Sequence, residues 1–109
     1  VTMTHISIDG SQITDWPSFY QVFSDAFGFP AFFGHNMDAW IDCMTNLDEE
    51  FNRVQIKQGE LVCINIEQAA VFKAKSPKQY QELIECAAFV NWRRLEIGEP
   101  PILILAFNA

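Results

Sequence analysis

The chain has 109 residues, half of them hydrophobic, with 14 acidic against 7 basic residues and a formal net charge of −7. That is the length of one domain with one core, and the apolar content excludes a disordered chain. The acidic balance excludes direct capture of nucleic acid phosphates, which requires a basic surface to release counterions, and suits a basic partner instead.

In chain order, THISIDG alternates in polarity from His5 to Ile8 and ends at Gly10, the pattern of a short first strand. Thr14 or Asp15 then caps a helix in which Trp16, Phe19, Tyr20, Phe23 and Phe27 recur at helical spacing; Pro17 is tolerated in the first turn and Gly28 closes it. After a Gly/Pro-punctuated aromatic loop from Phe29 to Gly34, Asn36 caps a second helix running through at least Leu47. Its apolar stripe is Met37, Trp40, Met44 and Leu47; Asp38, Asp42 and Thr45 fall on a different face, and Ile41 lies between them. Asp48 to Glu50 read as a solvated end.

The stretch from Phe51 to Glu67 reads as a hairpin, with Val54 and Ile56 alternating, a turn at Gln58-Gly59, and Leu61 to Ile66 as a central strand. A short helix is expected from Gln68 to Ala74. A longer one starts at Ser76-Pro77, with Ser76 as its cap, and stops at Gly98 and Pro100-Pro101. ILILAF closes the chain as a strand buried on both faces. Strand, helix, helix, hairpin strand, helix, helix, strand is the order of an α/β domain with a mainly parallel sheet and helical crossovers.

The cysteines, Cys43, Cys63 and Cys86, are odd in number and form no CxxC pair, so reduced thiols acting as small core hydrophobes are expected rather than a disulfide framework or a zinc site. Neither a signal peptide nor a membrane span is expected, since the apolar runs are short.

Asp38 and Asp42 are the chemical puzzle. Glycoside cleavage needs two carboxylates across a cleft, whereas an i,i+4 pair are neighbours on one surface and flank nothing. His35 precedes the helix and reads as a loop or capping residue, so no metal is implied. Two aspartates near Cys43 raise its pKa, the opposite of what a nucleophile needs. No P-loop, GxSxG or GxGxxG is present. What remains is display: Asp38 in the first turn, favoured by the helix dipole, and Asp42 one turn on, bordered by Phe32 and Phe33, form rigid anions able to enter a basic cleft. The alternative left open is an ordinary solvated acidic face above core aromatics.

Taken together, Pro30, Phe32-Phe33-Gly34, Asn36, Met37, Asp38-Ala39 and Asp42-Cys43-Met44-Thr45 form a long ungapped pattern that resembles the barstar family, intracellular inhibitors of a secreted microbial ribonuclease. The resemblance implies one domain over residues 1–109 and an α/β fold of small three-layer type with a mainly parallel three-stranded sheet; the segment between Thr45 and Glu67, longer here than in the family, leaves room for one extra antiparallel strand from the hairpin at 53–66. It implies a non-enzymatic cytoplasmic protein without cofactor that binds a basic ribonuclease through the acidic helix and the preceding loop. Asp42 would occupy a phosphate site and Asp38 would be a second charged contact. Phe32, Phe33, Asn36, Ile41, Thr45 and Asn46 would surround them.

The sequence departs from the family pattern at several points. Phe32 replaces a tyrosine, Ile41 a tryptophan and Asn46 a glycine, and Arg93 and Arg94 stand near an acidic contact of the last helix. These departures leave a second reading, a non-catalytic binding or regulatory module with the same fold and a non-nuclease partner. An enzyme comes third.

Overall fold

The computed structural model describes residues 3–29, 34–47, 56 and 59–109. Three strands, β1 (Met3–Asp9), β2 (Leu61–Glu67) and β3 (Leu103–Phe107), form one parallel sheet in the order β1-β2-β3. Four helices connect them: α1 (Trp16–Phe27), α2 (Met37–Thr45), α3 (Ala69–Lys75) and α4 (Pro77–Glu96). The α/β class and the parallel sheet expected above are the ones found.

Local signals explain most of the boundaries. Asp15 accepts from the Ser18 N–H at 2.9 Å while Ser18 Oγ accepts from the Asp15 N–H at 3.0 Å, a reciprocal capping box that starts α1. Gly28 ends it with φ of 64°, a left-handed conformation that a Cβ would penalise. Asn36 caps α2 by accepting from the Ala39 N–H at 2.8 Å.

That second helix stops at Thr45 rather than continuing through Leu47. Thr45 Oγ1 donates to the Ile41 carbonyl at 2.6 Å and Asn46 Nδ2 to the Asp42 carbonyl at 2.8 Å. Both carbonyls already serve the existing helix, the Asn46 N–H also reaching that of Asp42 at 3.2 Å; the Thr45 carbonyl, which a further turn would use, accepts instead from Arg94 of α4. Ser76 precedes Pro77 as expected but makes no cap bond; its buried hydroxyl donates to the Ile13 carbonyl at 3.0 Å, tying the α3–α4 junction to the segment after β1.

The layering is two deep rather than three. Both crossovers step the same way along the sheet, and right-handed crossovers in one direction place every helix on one face. Burial follows: Ile8, Ile64 and Ile66 are buried toward the helices, whereas His5, Ser7 and Ile104 on the opposite face are exposed. β3 is therefore an edge strand covered on one side, not buried on both; Leu103 is 4% exposed and its neighbour Ile104 38%. The hairpin's second arm is β2, but β2 has parallel partners on both edges, which leaves no place beside it for an antiparallel strand. The first arm lies outside the described residues apart from Ile56, which is buried and not in a strand.

Two close contacts fix the frame. Gly10 follows β1 where an added Cβ would meet the Glu67 carbonyl at 2.7 Å and the Phe72 Cβ at 2.9 Å, so only glycine allows this approach of β1, β2 and α3. Asn91 in the last third of α4 accepts from the N–H groups of Ile102 and Leu103, each at 2.9 Å, and donates to the Leu103 carbonyl at 2.9 Å. The ladder to β2 at this point uses the Ile102 carbonyl. Leu103 accordingly points its backbone polar groups outward, and the Asn91 amide meets them as a neighbouring strand would.

The core lies between the sheet and α1, α2 and α4. Phe19, Phe23, Phe27 and Trp40 are fully buried, with Trp40 edge-on to Phe23 at 5.5 Å. Among the described residues no helix is long and apolar enough to cross a membrane.

Candidate functional site

The face of α2 turned away from the core carries the two carboxylates. The apolar stripe behaves as its spacing requires: Trp40, Met44 and Leu47 are fully buried and Met37 half-buried. Asp38 and Asp42 are consequently exposed. Asp38 has no ion pair among the described residues. Asp42 has one: its Oδ1 accepts from Arg93 Nη1 of α4 at 2.8 Å, with the side chains 65% and 37% exposed respectively.

The remaining expected contact residues separate into three groups. Asn36 is exposed, but both ends of its amide serve local structure, Oδ1 as the cap and Nδ2 donating to the Gly34 carbonyl at 3.2 Å. Asn46 is half-buried and engaged with the Asp42 carbonyl. Ile41 and Thr45 are buried, at 9% and 5% exposure, because α4 packs along that side of α2. Phe32 and Phe33, like Asp48 to Glu50, lie outside the described residues.

The sequence reading did not anticipate how α4 completes this face. Arg93 reaches Asp42, while buried Arg94 donates from Nη1 to the Thr45 carbonyl at 3.0 Å, placing a cation on the C-terminal end of α2 where the helix dipole favours it. One turn before Arg93, Phe89 is 45% exposed and stacks on Trp92 at 5.5 Å between ring centroids. In sequence, Arg93 and Arg94 stand only near an acidic contact of the family's last helix. Only the packing of α2 on α4 turns them toward α2.

Charge also gathers in the α2–α4 groove. The Cys86 thiol is pushed up to about 11 by burial first, then by Glu82, Glu85 and Asp38 around it. Burial, and secondarily Asp42, raises the Cys43 thiol. Tyr20 is raised by burial, with Cys86 and Glu82 adding to it, and its ring stacks at 6.3 Å on that of His35, the residue with φ of 51° just before the Asn36 cap. Neither helical thiol in this groove is poised to react. All three cysteines are free and buried. Among the described residues no group of three or more His, Cys, Asp or Glu could hold a metal ion.

The fold and this face define a small two-layer parallel α/β domain whose short capped helix presents carboxylates beside a second, packed helix. Family comparison matches residues 3–103 to Barstar (barnase inhibitor), and the chain belongs to that family. Members of that family are protein inhibitors of ribonucleases of the barnase type rather than enzymes. Comparison with curated proteins returned no match.

Proposed function

We propose that this protein inhibits a basic ribonuclease by covering its active site with α2 and its surroundings. The observation that carries the reading is the pair of exposed carboxylates, Asp38 and Asp42, on one face of a rigid helix in a chain of the barstar family. A site that holds phosphates is rich in cations, and a fixed carboxylate in it accepts short charge-assisted hydrogen bonds. Asp42 stands for the phosphate and Asp38 is the second charged contact. Asn36, Asn46 and the loop carrying Phe32 and Phe33 form the rim, which excludes water around the charges. Ile41 and Thr45 support the face from beneath. The acidic net charge steers a basic enzyme toward it, and free, buried thiols suit a cytoplasmic protein.

The Asp42–Arg93 pair favours a second reading, a binding module with a non-nuclease partner, because part of the displayed charge is answered within the chain. One experiment separates the two. Purified protein is titrated into RNA cleavage assays with a panel of small basic microbial ribonucleases, wild type beside Asp42→Asn. Inhibition of at least one enzyme, weakened about 10²-fold or more by the substitution as expected for an ion left without its partner in a closed interface, supports phosphate mimicry. Equal inhibition by Asp42→Asn at low salt removes Asp42 from the mechanism. No inhibition of any enzyme favours the second reading.

A further inference from the structure

The Asp42–Arg93 pair changes what a partner must offer. Arg93 is not a loose surface cation: the Arg94 guanidinium beside it in sequence is 3% exposed and bonded to the Thr45 carbonyl, which clamps the last turn of α4 to the end of α2. That clamp sets the backbone of Arg93 where its guanidinium reaches the carboxylate assigned to the phosphate site through one hydrogen bond of 2.8 Å.

Cleavage of RNA requires a general base within hydrogen-bond reach of the 2′-hydroxyl that attacks the neighbouring phosphate. A group that takes the place of the phosphate therefore lies close to that base, and so does a cation bonded to the group. A carboxylate base receives a guanidinium through strong, often bidentate hydrogen bonds. A histidine base is neutral when it is able to act, so it offers a guanidinium a single uncharged acceptor, and it becomes a like charge once protonated. Resting on the inhibitory reading above, we infer that Arg93 is a specificity-determining residue that selects ribonucleases whose general base is a carboxylate. The free protein holds Arg93 on Asp42; in the complex the guanidinium bridges Asp42 and the base.

The test is calorimetric titration against three probes: a small basic microbial ribonuclease with a glutamate base, its Glu→Gln variant, and a ribonuclease that uses two catalytic histidines. Wild type, Asp42→Ala, Arg93→Ala, Arg93→Lys and Arg93→Glu are compared. Arg93→Ala is expected to weaken binding to the glutamate enzyme by about 10–100-fold, Arg93→Lys by less, and loss of the glutamate charge to weaken wild type similarly, the two losses being strongly non-additive. The histidine enzyme is bound at least about 100-fold more weakly than the glutamate enzyme, and Arg93→Glu narrows that gap. If Arg93→Ala binds the glutamate enzyme as tightly as wild type or tighter, or if the two losses simply add, Arg93 is only a strut between α2 and α4 and the inference is overturned. Should Asp42→Ala bind as tightly as wild type while the Arg93 effects hold, the phosphate-mimic reading fails separately. Binding of wild type to none of the probes overturns both.

Discussion

At the scale of single residues, exposure decides which charges matter to the fold. Asp42 and Arg93 both reach solvent, and an exposed ion pair contributes about 0–1 kcal/mol. Asp42→Ala is thus expected to shift urea unfolding by less than about 1 kcal/mol, so that any large effect on a partner is an interface effect. Cys86 behaves differently because it is buried. Its folded-state value of about 11 lies above the ordinary 9.0, so the folded chain holds the thiol proton more tightly than the unfolded chain does. The stability linked to that proton is fully present below pH 9.0 and is lost as pH rises through about 11. Cys43 and Tyr20, raised in the same sense, deepen the loss. Urea midpoints measured from pH 8 to 11 are expected to fall, and to fall less in Cys86→Ala. The orientation of the two carboxylates was legible from i,i+4 spacing alone. Their neighbour Arg93 was not, because 51 residues separate it from Asp42 and only helix packing joins them.

Among elements, boundaries written in side-chain hydrogen bonds could be read and those written in tertiary contacts could not. Asp15, Gly28 and Asn36 announce their caps by residue type; Asp15→Ala is expected to cost about 1 kcal/mol in unfolding free energy. The end of α2 is instead marked by a tertiary contact, since the Thr45 carbonyl that a further turn would use accepts from buried Arg94 of α4. Ser76 stands at the N-cap of α4 as its type suggests, but its hydroxyl makes a tertiary tie to Ile13 in place of a cap bond. Gly10 is the clearest example of an element junction set by space: Gly10→Ala pushes a methyl into the Glu67 carbonyl and Phe72. A loss of about 1–3 kcal/mol, the usual cost of overpacking, is expected in denaturant unfolding.

For the molecule as a whole, the governing fact is that the sheet has one covered and one open face. Two isoleucines test it directly. Ile64 on β2 is fully buried and Ile64→Ala is expected to cost about 2–5 kcal/mol, whereas Ile104→Thr on the open face should stay within about 0.5 kcal/mol in the same unfolding assay. An equal penalty at both positions would mean that Ile104 is covered. The unbroken apolar run of the last strand concealed this difference, since a central strand and an edge strand of a parallel sheet can carry the same composition. Strand order, which sequence does not state, decided between them.

The Asn91 amide has a bearing on solubility. The run from Ile102 to Phe107 is apolar, uncharged and free of proline, the composition of segments that recruit further copies of themselves into fibrillar stacks. At Leu103, where the backbone groups of that run turn away from β2, the amide of Asn91 occupies them. It thereby acts as a stopper against templated growth. Asn91→Ala would expose the start of the strand, and thioflavin-monitored incubation of the folded protein should then show a shorter lag than wild type. Adding Ile104→Lys on the open face should restore the lag by placing a charge in the recruiting segment.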